Sequence, residues 1–323
     1  MSYSEFNGID DFLDSVEEKH RNECYEKFIC GVLATDQLDK HNEAISLEAL
    51  KQMEEHINTN GLPLIANHDP RLPPGGTVLE AKLVKSIDGT KNYVFGVMAT
   101  YTGDFYKPFP EHSNPDESIE GHIGNYSIDA ISLSYSHNEI DEEIIAEAIA
   151  DSPDFINNDI SKDIRKAADP ITILSIAIPA AYIFPFAKKY MEKNGEAVAD
   201  LQTKFLGWLG SKITNRIKRR ILYKFESPYK GCAVHFIVET DNIEILQEAF
   251  SDIERAGLAA EYVISKLESQ RPELLVYTFD HAGIKKWIPE YLKVGNGDVY
   301  TDKPYLMAVE ANMGLSVGAR EGS

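Results

Sequence analysis

Alternating apolar and polar residues mark much of the first half of the chain and predict β-strands. The pattern runs through residues 26–35 and 126–136, and through 77–86 and 92–101 on either side of an Asp-Gly pair. Because successive side chains of a strand point to opposite faces, such alternation is typical of half-buried strands. Asp-Gly between two such segments indicates a β-hairpin.

Helical patterns also occur in the first half and lengthen after it. Ser46 precedes an apolar pattern that Gly61 and Pro63 end, which is typical of a capped helix. Residues 138–168 are acidic and helix-like, and residues 187–222 are helical and become basic towards their end.

Strand and helix patterns alternate in the C-terminal part of the chain. Four segments predict, in order, a strand, a helix closed by glycine, a strand and a short helix: 232–240, 242–257, 273–280 and 282–292. Residues 226–323 are therefore predicted to form a small α+β domain of the ferredoxin-like kind. A basic helical linker is predicted before it, over residues 191–225.

The acidic composition limits the classes of partner. The 323 residues include 52 Asp or Glu and 32 Lys or Arg, which gives a formal net charge of −20. Such a surface repels the phosphates of DNA and RNA, so we expect no nucleic-acid partner. The strongest apolar run, Ile171 to Phe186, contains two prolines and is shorter than a spanning helix requires, so we expect no membrane segment.

Cysteine usage and the acidic N-terminal sequence are typical of a cytoplasmic protein. Cys24, Cys30 and Cys232 are odd in number and lack metal-ligand spacing, which fits a reducing compartment. A further polar set lacks the regular spacing of a calcium-binding loop: Asp36, Asp39, His41 and Glu43. We therefore expect no metal and no other cofactor.

Two features of the sequence are candidates for catalysis. His68 follows a short predicted strand and precedes a proline-glycine turn, where an imidazole can stand at the rim of a pocket. Ser132, Ser134 and Ser136 alternate in ISLSYS and are predicted to share one face of a strand. A rigid strand can present a nucleophilic serine, although activation needs a base within about 2.6–3.2 Å. The alternative interpretations are a structural histidine and a polar sheet face.

The order of these motifs resembles that of the prohead maturation proteases of tailed bacteriophages, which share their fold with the herpesvirus assemblins. The resemblance rests on GVLATDQLDKHNEAISLEAL, GLPLIANHDP, a hairpin, AISLSY and ILSIAIPAAY, and it spans residues 26–186. It implies that His68 is the general base and Ser132 the nucleophile. It also implies an assemblin-like, mainly β barrel with surrounding helices for residues 1–190.

The match to this family is incomplete at two positions. In the closing strand, Ser175, Pro179 and Ala180 match, but Ile173 stands where the family often has glutamate. Three residues are equally good candidates for a third catalytic residue: Asp169, His122 and His137. Ser134 stands where the family has glycine and is a candidate alternative nucleophile.

The resemblance implies a serine endopeptidase that cleaves capsid or scaffold segments and processes itself. The expected partners are a protein substrate and a second copy of the chain in a homodimer. The expected location is the bacterial host cytoplasm or an immature phage capsid. Two alternatives remain open at this point: a catalytically impaired assembly protein that keeps the assemblin fold, and a protease effector of a bacterial defence system.

Overall fold

A computed structural model describes the protein at residues 6, 8–23, 25–38, 44–66, 69–102, 106–107, 131–136, 140–153, 156, 161–163, 172–180, 183–184, 203–217, 219–295 and 297–302. The chain divides into two compact units, Met1–Tyr106 and Lys107–Ser323, termed here the first and the second unit. Helices and two sheets make the protein mixed α+β, as the sequence predicts. In the described residues, neither sheet closes into a barrel.

The first unit contains a four-stranded antiparallel sheet in the order β1-β4-β3-β2. Its described elements are α1 (Ile9–His20), β1 (Tyr25–Thr35), α2 (Leu47–Asn60), β2 (Leu62–Leu64), β3 (Gly76–Lys85) and β4 (Asn92–Tyr101). The predicted start of α2 is confirmed, because the Ser46 hydroxyl accepts a hydrogen bond from the Ala49 amide at 3.2 Å. The hairpin predicted at the Asp-Gly pair is also confirmed, as β3 and β4 pair along their length.

Helices pack on both faces of this sheet. On one face, α1 places Ile9 and Val16 in a buried cluster with Phe95 of β4. On the other face, α2 places Leu50 in a cluster with Val94 of the same strand. Since Val94 and Phe95 are adjacent, their side chains point to opposite faces, and β4 is apolar on both.

Side chains of α2 complete the hydrogen bonding of β3 where β2 is too short to do so. β2 pairs only with residues 76–78 of β3. Further along, Asn58 accepts a hydrogen bond from the Ala81 amide at 2.7 Å and donates one to its carbonyl at 3.0 Å. Glu54 accepts a hydrogen bond from the Leu83 amide at 2.9 Å. These contacts satisfy backbone groups that would otherwise be left at a sheet edge.

The second unit is built on one larger sheet. Its elements, with the short strand at the unit boundary first, are β5 (Tyr106–Lys107), β6 (Ser132–Ser136), α3 (Glu142–Ala150), β7 (Ser161–Asp163), β8 (Ile173–Ala177), α4 (203–209), β9 (Ile221–Tyr229), β10 (Cys232–Thr240), α5 (Ile243–Ser251), α6 (Ile253–Lys266), β11 (Pro272–Asp280), β12 (Lys286–Val294) and β13 (Val299–Tyr300). The strand order is β5-β13-β12-β11-β10-β9-β8-β6-β7. A π-helical turn, Gly210–Thr214, extends α4.

One face of this sheet packs against α5 and α6 and forms the main core. The helices contribute Leu246, Phe250 and Val263. From β6 to β11 the strands contribute every second residue: Leu133, Tyr135, Leu174, Ile176, Tyr223, Phe225, Val234, Phe236, Leu275 and Tyr277. The residues between them point to the opposite face, termed here the outer face.

Two helix predictions in the second unit are wrong. Residues 286–294 form β12 instead of a helix, because Trp287, Pro289 and Tyr291 are buried in alternation and the strand pairs with β11. The single helix predicted over 242–257 is two helices, with Gly257 inside α6 and not at its end.

The division into units differs from the domains that the sequence predicts. The prediction separates residues 1–190 from a linker at 191–225, but β8 pairs in parallel with β9, which begins within that linker. Both strands therefore belong to one sheet, and the end of the basic segment is strand. Within the described part of the chain, every helix is too short or too polar to span a membrane.

Two glycines provide a matched test of packing in the second unit. A Cβ at Gly257 would stand 2.2 Å from the carbonyl oxygen of Ile183, whereas a Cβ at Gly207 meets nothing within 4 Å. We expect Gly257→Ala to lower the free energy of unfolding by about 1–3 kcal/mol through overpacking. Gly207→Ala lies in α4 and is expected to raise it by about 0.5–1 kcal/mol.

Urea denaturation followed by tryptophan fluorescence measures this difference directly. The chain has two tryptophans, Trp208 and Trp287, and both are buried in the second unit. Equal stabilities for the two alanine variants would contradict the close contact between α6 and Ile183.

Candidate active site

The predicted site residues divide into those that the structure describes and those that it does not. His68, His122, His137 and Asp169 lie outside the described residues. Ser132 and Ser134 are described and lie on β6.

The residue that follows His68 in the sequence belongs to a turn held by an ion pair. Asp69 is buried, and its carboxylate accepts hydrogen bonds from Arg71 Nε at 2.9 Å and Nη2 at 2.7 Å. It also accepts one from the Arg71 amide at 3.0 Å. The Asp69 amide in turn donates to the Ala66 carbonyl at 3.0 Å. Such a bidentate pair is more rigid than a single hydrogen bond.

Ser132 and Ser134 point to the outer face of the second unit's sheet. Leu133, between them, is buried in the main core, while both serines are partly exposed. The prediction that these two serines share one face is confirmed. Backbone pairing places Ser134 opposite Ser175 of β8.

A row of four paired residues crosses the outer face from β6 to β10. Ser132 pairs with Ala177, Ala177 with Glu226, and Glu226 with His235. We call these four residues the cross-strand row. Neighbouring strands are about 4.8 Å apart, so the backbones of Ser132 and Glu226 are separated by roughly 10 Å. Ala177, between them, carries only a methyl group as its side chain.

Glu226 is the charged centre of this row. Lys224 Nζ lies 2.5 Å from its Oε1 atom, and the Ser175 hydroxyl donates a hydrogen bond to its carboxylate. Burial disfavours the charged carboxylate, but Lys224, His235 and the hydrogen bonds outweigh it and hold the pKa of Glu226 below its ordinary value. Glu226 is therefore a carboxylate at neutral pH.

His235 is a half-buried imidazole that is neutral at pH 7. Its burial lowers the pKa to about 4, although the nearby Glu226 carboxylate acts in the opposite direction. The Nε2 atom of His235 lies 3.9 Å from Glu226 Oε2, too far for a hydrogen bond. A neutral imidazole offers one donor and one acceptor nitrogen.

A cavity of about 290 Å³ adjoins the cross-strand row. Its lining residues come from β8 to β11 and the β9–β10 turn: Ala177, Glu226, Ser227, Pro228, Gly231, Cys232, Ala233, His235 and Glu273. Burial raises the pKa of the Cys232 thiol to about 12, so this cysteine is not a thiolate nucleophile. In the described part of the chain, no group of three or more His, Cys, Asp and Glu side chains could hold a metal ion.

The sequence prediction missed Glu226 and His235. A weak signal was present, because Lys224, Glu226 and His235 interrupt strands that are otherwise mostly apolar. A charged side chain within an apolar strand is costly unless it is paired, so such positions are candidates for function. Periodicity could not show that these residues share a face with Ser132.

Comparison with known proteins gives no match to the chain: no family model, no curated protein and no solved structure is similar to it.

The half-buried imidazole of His235 makes the stability of the second unit sensitive to pH. The unfolded chain binds a proton on His235 near pH 6.5, whereas the folded protein binds it only near pH 4. The contribution of this group to the free energy of unfolding is therefore nearly constant above about pH 6.5 and falls as the pH is lowered towards 4. Between pH 6.5 and 5 we expect a loss of roughly 1.5 kcal/mol from this group.

Urea denaturation at several pH values, followed by tryptophan fluorescence, checks this expectation. Most carboxylates titrate below pH 5, so the interval from 5 to 6.5 reports mainly on histidine. His235→Gln should flatten the profile there, while His281→Gln, outside the cavity lining, should leave it unchanged. An unaltered profile in His235→Gln would exclude a half-buried neutral imidazole.

Proposed function

We propose that the protein is a serine endopeptidase with Ser132 as its nucleophile. The supporting observation is the position of Ser132 on β6, at the end of a cross-strand row that leads through Ala177 to an ionised Glu226. A strand paired on both sides holds a hydroxyl in a defined direction, which nucleophilic attack requires. The general base proposed from the resemblance is His68.

The proposed reaction is acyl transfer to Ser132. The hydroxyl oxygen attacks a peptide carbonyl while the base takes the hydroxyl proton. The C–N bond then breaks, the amine leaves with that proton, and an ester to Ser132 remains. Water attacks the ester with the same base, which releases the new carboxyl terminus and restores the serine.

Ser134 is the alternative nucleophile on the same face. It is directly opposite Ser175, whose hydroxyl donates to Glu226. Opposite side chains of an antiparallel pair are about 4.5–5.5 Å apart at Cβ, so Ser134 and Ser175 form a polar pair of hydroxyls. Ser132 is opposite alanine instead and has no hydroxyl across from it.

The resemblance supports further details of this function: an assemblin-like, mainly β barrel over residues 1–190, cleavage of capsid or scaffold segments, self-processing, and a homodimer in the bacterial cytoplasm or an immature capsid. The ferredoxin-like domain at residues 226–323 and the alternative setting, a bacterial defence system, are proposed from the C-terminal sequence instead.

A non-catalytic assembly protein is the second candidate function. The observation that favours it is the side chain of Ile173, which is 4% exposed and occupies the closing-strand position where the family has an acid. An apolar residue there cannot orient a catalytic base. The two candidates differ in the reactivity of Ser132.

A fluorophosphonate probe tests that reactivity, because it modifies only an activated serine. We expect the full-length protein to be labelled and Ser132→Ala to lose labelling and peptide cleavage by at least about 10³-fold. His68→Gln should cause a similar loss, whereas Ser134→Ala should retain most of the labelling. If Ser134→Ala loses labelling and Ser132→Ala retains it, the nucleophile is Ser134.

Self-processing is tested separately by intact mass. After incubation, wild-type protein is expected to lose a terminal segment that Ser132→Ala keeps. Identical, uncut masses for wild type and Ser132→Ala would exclude self-processing. Cleavage of other proteins would still be tested by the peptide assay.

A further inference from the structure

The lining of the cavity begins at the strand next to the proposed nucleophile. Ala177 is both part of its lining and the cross-strand partner of Ser132. A peptide whose carbonyl is at Ser132 can therefore place a neighbouring side chain over Ala177 and into the cavity. Its volume of about 290 Å³ is sufficient for a long side chain.

The charged groups of the lining are both acidic. Glu226 and Glu273 supply carboxylates, and none of the described residues of the lining is a lysine or arginine. Lys224 and Lys293 each pair with one of these carboxylates, at 2.5 Å and 2.9 Å, but neither is among the residues that line the cavity. The carboxylates are therefore the charged groups that a guest side chain meets inside the cavity, and the two lysines offset part of their charge from outside the lining.

The Glu226 carboxylate has capacity for additional hydrogen-bond donors. A carboxylate accepts about four hydrogen bonds, and those to Glu226 in the described chain come from Lys224 and Ser175. The His235 ring does not use the remaining capacity, since its Nε2 atom is 3.9 Å from Oε2 of Glu226.

We propose that this cavity binds a lysine or arginine side chain of the substrate, a role in cleavage that rests on the proposed function. Glu226 is the specificity-determining carboxylate, and Glu273 at the rim attracts the same cation. The guest ammonium or guanidinium donates to Glu226, and its aliphatic stem packs on Ala177 and Pro228. The substrates are thus polypeptides with a basic residue next to the cleaved bond.

Binding to an uncleavable form of the full chain tests the proposal. In Ser132→Ala, calorimetric titration compares blocked Ala-Ala-Arg-Ala-Ala with the same peptide containing citrulline, which is uncharged and has nearly the same shape. We expect the arginine peptide to bind about tenfold more tightly, the usual effect of one charge-assisted hydrogen bond. Free argininamide should bind more weakly than the peptide, because the site is for a side chain within a polypeptide.

Further substitutions in the Ser132→Ala protein show which residues cause the preference for arginine over citrulline. Glu226→Gln should abolish the preference for arginine over citrulline, and the exposed rim substitution Glu273→Lys should reduce it. Glu248→Gln removes a carboxylate that also pairs with a lysine, Lys285, but lies outside the cavity, and should change nothing. If Glu226→Gln does not fold, the Glu273→Lys result still shows whether carboxylates of the cavity cause the preference for arginine.

The outcomes separate this inference from the proposed function. Equal binding of both peptides, or a preference that survives Glu226→Gln and Glu273→Lys, overturns the basic-residue site even if Ser132 is labelled and cleaves. A preference that depends on these glutamates supports the site even if the wild-type protein fails to react with the probe, in which case only the peptidase proposal is lost.

Discussion

Parallel pairing between β8 and β9 is the contact on which the second unit depends. It runs from Ile173 opposite Leu222 to Ala177 opposite Glu226, and it joins the serine-bearing strands to those covered by helices. Strands as short as β6 and β8 are marginally stable in isolation. Their inclusion in a large sheet with a buried face makes Ser132 part of a rigid surface.

The same pairing places ionisable groups where a purely structural sheet would have apolar ones. Glu226, Lys224 and His235 alternate with buried aromatic and aliphatic residues of β9 and β10. Well-packed apolar side chains would often be at least as stable at such positions, because desolvation of charges offsets much of their attraction. A paired carboxylate, a neutral imidazole and a cavity together are therefore better explained by binding or catalysis than by stability.

Local sequence patterns predicted some secondary-structure elements correctly and others incorrectly. The capped start of α2 and the β3–β4 hairpin depend on neighbouring residues, and both were predicted. The segment that forms β12 contains lysines, proline and apolar residues that also suit a short helix. Long-range pairing with β11 favoured the strand, because Trp287 and Leu292 then enter the main core.

The sequence by itself determined that Ser132 and Ser134 share one face of a strand, because alternation in a strand is a local property of the backbone. It also suggested an α+β protein. Only the tertiary structure decided which residues stand beside those serines. Glu226 and His235 belong to strands far along the chain, and the register of long-range pairing, which follows from burial of the whole sheet face, brings them into the row with Ser132.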